Sequence, residues 1–331
     1  MSKMPMNSTI PIFFTFDRYY VLAAGVTFYS LLEKASSQYN YHLYVVHTGL
    51  KSHHQKHLQR IVSKFPNATL SFVLAPENNT GWEELQNKAH FSKEIFYKMT
   101  AASMFPQYDR ILFSDVDVIF KDDISASFFL YPDEKFYFAG TRPIGENTNL
   151  CLYEKNFTSD EIQLINYYEI SAGYMLINLK AIRQDNMEQR LTTFFKENVW
   201  RLRLPEQDCI ALCCHPYIQF MDYRYMIVNS LYQENPKTMS FNNNNPILED
   251  RQKAQEILTN ALDHVVQLHY PSVYKPWNNR NVPKFDEWMV ACRRAGLYGY
   301  YLRLQPLFFY QRIKRYNLKR FLGKMLGRLS K

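Results

Sequence analysis

The chain has 331 residues, of which 47% are hydrophobic and 21% are charged. This length suffices for one large domain with a substantial core, and the composition excludes an intrinsically disordered chain. No run of about 18 apolar residues is present that could cross a bilayer, and the N-terminal residues lack the apolar stretch of a signal peptide. The five cysteines form no Cys-x-x-Cys pair, which argues against a disulfide framework and favours a reducing, cytosolic compartment.

The net charge of +8 is unevenly distributed along the chain. After Glu287 there is no acidic residue, whereas the last 44 residues contain 11 lysines and arginines. The rest of the chain has 28 basic and 31 acidic side chains and is therefore slightly acidic. Such segregation predicts an anionic partner for the C-terminal segment.

The first half of the chain alternates short apolar runs with stretches of helical periodicity. Strands are predicted at Ile10–Phe16, His42–Val46, Thr69–Leu74 and Arg110–Phe113, and helices at Val21–Lys34, Ser52–Phe65 and Ser92–Phe105. This rhythm indicates an α/β protein with a largely parallel sheet that helices cover on both faces.

The second half continues the alternation. A helix begins after Thr158, where Glu161 three residues later predicts a capping box. Further strands are predicted at Phe136–Gly140, Gly173–Leu179 and Val265–His269, and a further helix at Glu206–Cys214. We find no internal repeat and no linker rich in glycine or serine. The sequence therefore predicts one domain over residues 1–285 and a basic, aromatic segment over residues 286–331.

The strongest chemical signal is the pair Asp115 and Asp117, which directly follows the apolar run ending at Ser114. Carboxylates two residues apart leave the same side of an extended backbone, at the strand end where open α/β sheets bind ligands. Oxygen ligands of this kind suit Mg²⁺ or Mn²⁺, which would neutralise a nucleotide diphosphate as it departs. An ordinary turn that happens to contain two acids is the alternative interpretation.

A second signal lies far downstream, in the segment HYPSVYKPW that begins at His269. His269 ends an apolar strand and is a candidate third metal ligand, which Mn²⁺ tolerates better than Mg²⁺. Lys275 follows six residues later and is placed to meet a phosphate. A histidine at the end of a strand often has only a structural role, and this alternative interpretation of His269 stays open.

Taken together, these elements resemble family 8 glycosyltransferases, retaining enzymes that include bacterial lipopolysaccharide galactosyl- and glucosyltransferases. The resemblance covers about residues 10–280 and rests on the order and spacing of five blocks. These blocks are IFFTFDRYY, FYKMTAASMFPQYDRILFSDVDVIF, ISAGYMLINLKAIR, LPEQDCIAL and LHYPSVYKPW. It implies a GT-A fold, a Rossmann-like and mostly parallel central sheet flanked by helices, that holds a UDP-hexose donor.

The resemblance also implies roles for individual residues. The implied metal ligands are Asp115, Asp117 and His269, with Mn²⁺ as the ion and Mg²⁺ as the alternative. The implied positions that contact the uracil, the diphosphate or the donor sugar are Asp17, Tyr20, Lys98, Val116, Ser171, Ser272 and Lys275. The implied catalytic positions are Glu206 and Gln207, beside the sugar and its anomeric carbon, together with Asp115.

Several positions depart from the family pattern. The family usually has Arg where this chain has Lys98, Asn at Ser171, Asp at Glu206, Gly at Ser272 and Asn at Tyr19. Lysine lacks the planar, bidentate fork of arginine, so the shell around the sugar is altered and the identity of the hexose stays open. Because the amide of Gln207 is a poor nucleophile, we favour front-face displacement over a covalent intermediate.

The C-terminal residues Leu318–Lys331 place their leucines, Phe321 and Met325 on one helical face and their basic side chains on the other. This pattern predicts a basic amphipathic C-terminal helical tail that lies on an anionic membrane surface. Packing of that helix on the domain is the alternative, and nucleic-acid binding is not expected because no recognition module accompanies the charge. The predicted location is therefore cytoplasmic, on the inner face of the cytoplasmic membrane.

Other clusters receive structural interpretations. His53 and His57 share a solvated helix face, and the group formed by Cys209, Cys213 and Cys214 has apolar neighbours typical of buried thiols. The sequence thus predicts a UDP-hexose-dependent transferase acting on a lipopolysaccharide or another glycan. A catalytically silent carbohydrate- or nucleotide-sugar-binding protein of the same fold is the alternative, and a nucleotidyltransferase is disfavoured because no glycine-rich nucleotide loop is present.

Overall fold

The computed structural model describes residues 8–75, 93–143, 155–233 and 251–315. Within this part of the chain, ten strands form two sheets. The strands are β1 Thr9–Thr15, β2 Asn40–His47, β3 Ala68–Leu74, β4 Ile111–Ser114, β5 Val118–Phe120, β6 Phe138–Gly140, β7 Tyr174–Ile177, β8 Ile218–Phe220, β9 Ile227–Val228 and β10 Gln267–His269.

The central sheet has seven strands in the order β3-β2-β1-β4-β7-β6-β8. Strands β1 to β4 of this sheet run parallel to one another, and β6 and β8 are also paired in parallel. Strand β7 is antiparallel to both of its neighbours. The prediction of a mostly parallel central sheet is therefore confirmed, with β7 as the reversed strand.

Alternate side chains of the central strands point into two separate apolar layers. On β1, Ile12 and Phe14 belong to one layer and Phe13 to the other. On β4, Leu112 and Phe113 divide in the same way, and all five side chains are fully buried. Burial on both faces explains why these strands have continuous apolar sequences rather than alternating ones.

The described residues also form a second, three-stranded sheet in the order β5-β10-β9. The sequence predicts β10 as a strand but gives no sign of β5 or β9. Strand β10 does not join the central sheet; it pairs antiparallel with β5 and parallel with β9. This arrangement differs from a single parallel sheet because the chain turns sharply between Ser114 and Val118, so that β4 and β5 enter different sheets.

The helices lie on both faces of the central sheet. They are α1 Val21–Lys34, α2 Ser52–Val62, α3 Ala101–Met104, α4 Ser125–Phe128, α5 Ser159–Tyr168, α6 Leu179–Gln184, α7 Met187–Asn198, α8 Pro205–Cys214, α9 Arg251–Asp263, α10 Phe285–Arg294 and α11 Tyr298–Arg315. The predicted bounds of α1 are correct, and the capping box of Thr158 and Glu161 at the start of α5 is present. The predicted helix at Ser92–Phe105 is wrong as one element. Its described part is a 3₁₀ segment, Lys93–Lys98, followed by the single turn of α3.

Helices α10 and α11 pack on the same apolar layer as α1. Trp288, Cys292 and Tyr301 are almost completely buried in this layer. The two helices within residues 285–315 are thus attached to the domain. The domain boundary at residue 285 stays a prediction. The predicted tail helix Leu318–Lys331 lies outside the described residues. Among the described helices, none has the length and apolar character needed to cross a membrane.

Candidate active site

The turn between β4 and β5 carries Asp115 and Asp117, and neighbouring elements hold its backbone from several sides. The Asp115 amide donates to the Gly173 carbonyl at 3.0 Å, and the Asp117 carbonyl accepts from the Tyr270 amide at 2.9 Å. The buried hydroxyl of Thr27 on α1 lies 2.7 Å from the Val116 carbonyl and 2.8 Å from the Val118 carbonyl. The two carboxylates therefore project from a rigid turn at the junction of the two sheets.

His269 meets this turn from the end of β10, which pairs directly with β5. Its Nε2 atom lies 3.1 Å from Oδ1 of Asp117 and 3.6 Å from Oδ2 of Asp115. One ligand atom from each of the three residues lies within 4.8 Å of the others. Within the described residues, this is the one group of three or more acidic, histidine or cysteine side chains with the spacing of a metal site.

These three side chains fit a divalent cation of the Mn²⁺ type in both chemistry and spacing. Oxygen and nitrogen ligands lie about 2.1 Å from such an ion, so neighbouring ligand atoms are about 3 Å apart. The separations of Nε2 of His269 from the two carboxylates, 3.1 and 3.6 Å, are close to this value. Two carboxylates and one imidazole form a donor set that suits Mn²⁺.

Lys275 is bound to the same carboxylate. Its buried ammonium lies 2.5 Å from Oδ2 of Asp117 and 2.6 Å from the Tyr270 carbonyl. Burial disfavours ionisation of Asp117, but the nearby charges of His269 and Lys275 outweigh burial and hold the pKa of Asp117 below its ordinary value. Asp117 is therefore an anion in this site at neutral pH.

Lys98 forms a second buried cation on the opposite side of Asp115. Its ammonium lies 3.3 Å from Oδ1 of Asp115, 3.2 Å from Oε1 of Glu206 and 3.1 Å from the Ala172 carbonyl. Burial lowers the pKa of Lys98, but the two carboxylates outweigh burial and raise it above its ordinary value. All three ammonium donors have a protein partner, so Lys98 links the candidate metal ligand Asp115 to the carboxylate of Glu206.

A cleft of about 560 Å³ opens beside these residues. The predicted site residues that line it are Asp17, Tyr20, Lys98, Asp115, Val116, Asp117, Ser171, Glu206, Gln207 and His269. The side chain of Val116 is almost completely buried, so a ligand in the cleft could contact only the backbone of this residue. Ser272 is exposed and does not line the cleft, and its hydroxyl accepts a hydrogen bond from the Tyr274 amide. The ammonium of Lys275 is bound to the carboxylate of Asp117. The structure thus brings together most of the predicted site residues and leaves Ser272 and Lys275 at its margin.

The residues that follow β1 form part of the cleft lining. Asp17 accepts a hydrogen bond from the Tyr19 amide at 2.8 Å and caps the 3₁₀ turn Arg18–Tyr20. The ring of Tyr20 meets the edge of the Trp277 ring, with centroids 5.5 Å apart. Because Trp277 ends the segment that begins at His269, this contact joins the first and last sequence blocks of the site.

The first turn of α8 forms another part of the cleft lining. Pro205 occupies a first-turn position where a missing amide hydrogen has no cost. The next two residues, Glu206 and Gln207, line the cleft. Asp208 is fully buried and accepts from the amides of Arg203 and Leu204, at 2.7 and 3.1 Å, which fixes the start of the helix.

Five residues that the sequence motifs do not single out also support this site. They are Thr27, Glu169, Gly173, Asp208 and Gln267. Gly173 and Asp208 lie within the quoted blocks, so their position beside candidate site residues is a usable signal. Thr27, Glu169 and Gln267 lie in apolar or helical stretches, where a sequence offers no reason to expect contact with the site.

The cysteine cluster of α8 is not part of the site. Cys209 and Cys214 are fully buried, and burial raises the pKa of both thiols well above the ordinary value. Burial also raises the pKa of Cys213 to about 12. These thiols are therefore inert core groups rather than metal ligands or nucleophiles.

Comparison with known proteins gives the same family over most of the chain. A family model described as "Glycosyl transferase family 8" matches residues 11–281. General stress protein A of Bacillus subtilis is 23% identical over 198 residues, which are 59% of this chain and 63% of that protein. The chain therefore spans somewhat less than two thirds of the length of this relative.

Solved structures share the fold at low sequence identity. The bifunctional glycosyltransferase WbbM, in its apo form, matches with a TM-score of 0.70 and 18% identity over 92% of this chain and 53% of its own. The galactosyltransferase LgtC, solved in complex with donor and acceptor sugar analogues, matches with a TM-score of 0.62 and 18% identity over 87% of this chain and 95% of its own. These likenesses show a GT-A-like α/β fold with a mostly parallel central sheet flanked by helices.

Proposed function

Because the chain belongs to glycosyl transferase family 8, we propose that it transfers a hexose, galactose or glucose, from a UDP-sugar to a glycan with retention of the anomeric configuration. The proposed acceptor is a lipopolysaccharide, a lipooligosaccharide or another lipid-linked glycan. The required ion in this proposal is Mn²⁺, with Mg²⁺ as the alternative. The observation that carries the proposal is that ligand atoms of Asp115, Asp117 and His269 lie within 4.8 Å of one another beside the cleft.

The ion held by these three side chains would neutralise the charge that develops on the departing diphosphate. The site is preorganised, because the Thr27 hydroxyl and the Gly173 carbonyl fix the backbone that carries the two acids. Asp117 is held ionised and therefore needs no deprotonation before it binds a cation.

The diphosphate contacts in this proposal come from Ser272 and Lys275. The ammonium of Lys275 is now bound to Asp117 and to the Tyr270 carbonyl, so it lies next to the place where a cation would sit. When a cation takes over Asp117, we expect this ammonium to turn toward the diphosphate as a point charge. The nucleoside would occupy the part of the cleft that Asp17 and Tyr20 line, where a carboxylate and an aromatic ring are both available.

The donor sugar would lie between Lys98, Ser171 and Glu206. One oxygen of the Glu206 carboxylate is bound by Lys98, and the other is buried without a hydrogen-bond partner in the structure. A buried carboxylate oxygen needs a donor, and a sugar hydroxyl supplies one. This oxygen is therefore our candidate for recognising a hydroxyl group of the hexose.

We infer retention from the family, and the chemistry of the same residues favours a pathway without a covalent intermediate. Gln207 carries an amide, which is a poor nucleophile, and one oxygen of the neighbouring Glu206 carboxylate is bound by the ammonium of Lys98, which lowers the nucleophilicity of this carboxylate. We therefore favour front-face displacement, in which the acceptor hydroxyl attacks from the side that UDP leaves. In this pathway the departing phosphate accepts the proton of the attacking hydroxyl.

The decisive experiment measures release of UDP from a panel of UDP-sugars, including UDP-galactose and UDP-glucose, with Mn²⁺ and without acceptor. Slow hydrolysis by the unaltered protein, abolished in Asp115→Ala and Asp117→Ala, is the expected result. Asp133→Ala is the matched control, because Asp133 is an exposed acid outside the cleft. Circular dichroism spectra of the three variants should coincide.

Two outcomes would contradict this proposal. Turnover that persists in chelator with both carboxylates removed would exclude the metal-dependent reaction. Tight binding of UDP-sugars with no turnover, for every donor and for lipopolysaccharide acceptors, would instead favour the catalytically silent binding protein.

We also propose that the C-terminal segment attaches the enzyme to the inner face of the cytoplasmic membrane. On α11, Leu307, Phe309 and Tyr310 have exposed fractions of 43%, 55% and 63%, and the residues after Glu287 contain 11 basic and no acidic side chains. Exposed apolar groups beside a basic segment favour an anionic membrane surface. The glycan acceptor would then be lipid-linked and present at the same surface.

A truncation tests this attachment, and the structure decides where to cut. Tyr301 and Phe308 are buried in the domain, so removal of α11 would damage the fold. A protein ending at residue 315 keeps the exposed apolar groups of α11 and loses five of the 11 basic residues. It should therefore sediment much less with phosphatidylglycerol vesicles and should still bind UDP and Mn²⁺. Unchanged sedimentation of this truncated form would contradict the attachment.

A further inference from the structure

The side-chain amide of Gln207 has a definite orientation in the site. The Ile170 carbonyl and Oε1 of Glu169 lie 3.1 and 3.3 Å from one of its two terminal atoms, which must therefore be the NH₂ group. A backbone carbonyl can only accept, so Ile170 decides this assignment whatever the protonation of Glu169. Gln207 also lines the cleft, and its carbonyl oxygen is the amide atom left to face the cleft.

Glu169 lies behind Gln207 and outside the lining of the cleft. It follows the last residue of α5, and it is 8% exposed. Burial, with a smaller contribution from the charge of Asp208, raises the pKa of Glu169 to about 8. A buried acid that is neutral at pH 7 accepts the NH₂ of Gln207 without placing a full charge beside the reacting centre.

We propose that Glu169 is a positioning residue that holds the Gln207 amide with its NH₂ group toward Ile170 and its carbonyl oxygen toward the anomeric carbon of the donor. This inference rests on the proposed function and adds a residue to its machinery. Asp208 already fixes the backbone at the start of α8. The rotation of the Gln207 side chain therefore depends on its two acceptors, Glu169 and Ile170.

The orientation matters because the anomeric carbon gains positive charge as UDP departs. An amide oxygen carries partial negative charge and stabilises that centre, whereas an NH₂ group in its place would oppose the charge. The stabilisation grows only as charge develops, so it should affect kcat more than the KM of the donor.

The test compares Glu169→Leu with Glu169→Gln in the UDP-release assay with Mn²⁺. Leucine removes the acceptor, and kcat should fall by about three- to tenfold with little change in the donor KM, since one hydrogen bond is lost. Glutamine keeps an acceptor oxygen and should retain most of the turnover. In a Gln207→Ala background, Glu169→Leu should have no further effect on kcat, because a residue that acts through Gln207 has nothing left to orient. Equal losses in both backgrounds would overturn the inference.

A second measurement does not depend on turnover. The side-chain ¹⁵N–¹H₂ signals of Gln207, identified by their loss in Gln207→Ala, should show slow hydrogen exchange in the unaltered protein and fast exchange in Glu169→Leu. Identical exchange in both proteins would overturn the inference even if UDP-sugars are hydrolysed. Absence of turnover together with the expected exchange would contradict the proposed function alone.

Discussion

The backbone of Gly173 and the imidazole of His269 are in direct contact. A Cβ atom on residue 173 would lie 2.8 Å from both Cε1 and Nδ1 of that ring, closer than real Cβ contacts allow. The Gly173 carbonyl also accepts from the Asp115 amide at 3.0 Å. This glycine therefore touches two of the three candidate metal ligands, Asp115 and His269, and its missing side chain provides the space for the His269 ring.

Replacing this glycine should weaken metal binding. In Gly173→Ala the new methyl group would lie 2.8 Å from two atoms of the His269 ring, so the ring must shift relative to the two carboxylates. We expect the affinity for Mn²⁺, measured by electron paramagnetic resonance titration, to fall about tenfold or more. Gly299→Ala is the matched control, because nothing lies within 4 Å of a Cβ at that position. An unchanged Mn²⁺ affinity in a folded Gly173→Ala protein would contradict the role of His269.

Replacing Lys275 should have opposite effects on the affinities for Mn²⁺ and for UDP. Its ammonium occupies Oδ2 of Asp117, so Lys275→Met should strengthen Mn²⁺ binding in the absence of nucleotide. The same change removes a positive charge from the diphosphate site, so UDP binding in the presence of Mn²⁺ should weaken by about tenfold. Isothermal titration calorimetry measures both affinities. A parallel loss of both would indicate that Lys275 serves only the fold.

Lys98 should matter most for stability, because it is the shared partner of two acids. Lys98→Met leaves Glu206 and Asp115 without their cation, and loss of one partner of a buried ion pair costs about 3–5 kcal/mol. Urea unfolding should show this loss at pH 7. Lys98→Met combined with Glu206→Leu should recover part of it, since the more deeply buried acid is then gone.

The pH dependence of this effect has a definite sign. Asp115 and Glu206 raise the pKa of Lys98 above 10.5, so the wild-type protein keeps this stabilisation below that value and loses it as pH rises through the raised pKa. The difference in unfolding free energy between wild type and Lys98→Met should therefore be large at pH 7 and smaller above the raised pKa. A difference that does not shrink at high pH would contradict the ion-pair explanation.

Local sequence was sufficient to predict elements whose determinants are close together. The apolar face of α1 and the Thr158 capping box fix their helices within a few residues, and both are present as predicted. The run Val118–Phe120 was missed because it follows the acidic turn without any glycine or proline to mark a new strand. The turn of Asp115 and Asp117 becomes the boundary between two sheets only when β10, about 150 residues later, pairs with β5.

The sequence predicts the candidate metal triad because its three members carry distinctive chemistry at strand ends. It does not predict the ion pairs that arrange the triad, since Lys98 and Glu206 are 108 residues apart and Lys275 and Asp117 are 158 residues apart. A lysine in a sequence does not reveal whether its ammonium meets a substrate or a carboxylate of the protein. In this site both lysines are bound to acids, which the sequence did not predict.

Thr27 connects the core helix α1 to the acidic turn. Its fully buried hydroxyl approaches the carbonyls of Val116 and Val118, and Thr27→Val removes this donor with little change in shape. Buried carbonyls that lose their partner cost about 1–3 kcal/mol, so the free energy of unfolding should fall by that amount.

The same change should loosen the turn that carries both metal ligands, and the affinity for Mn²⁺ should therefore fall together with stability. Thr27→Ser keeps the hydroxyl and should preserve the metal affinity, at a smaller cost from the lost methyl group. Urea unfolding and Mn²⁺ titration of the two variants separate these effects. If Thr27→Val loses stability but binds Mn²⁺ as tightly as Thr27→Ser, the turn is held by its other contacts, from Gly173 and Tyr270, and the hydroxyl serves the core alone.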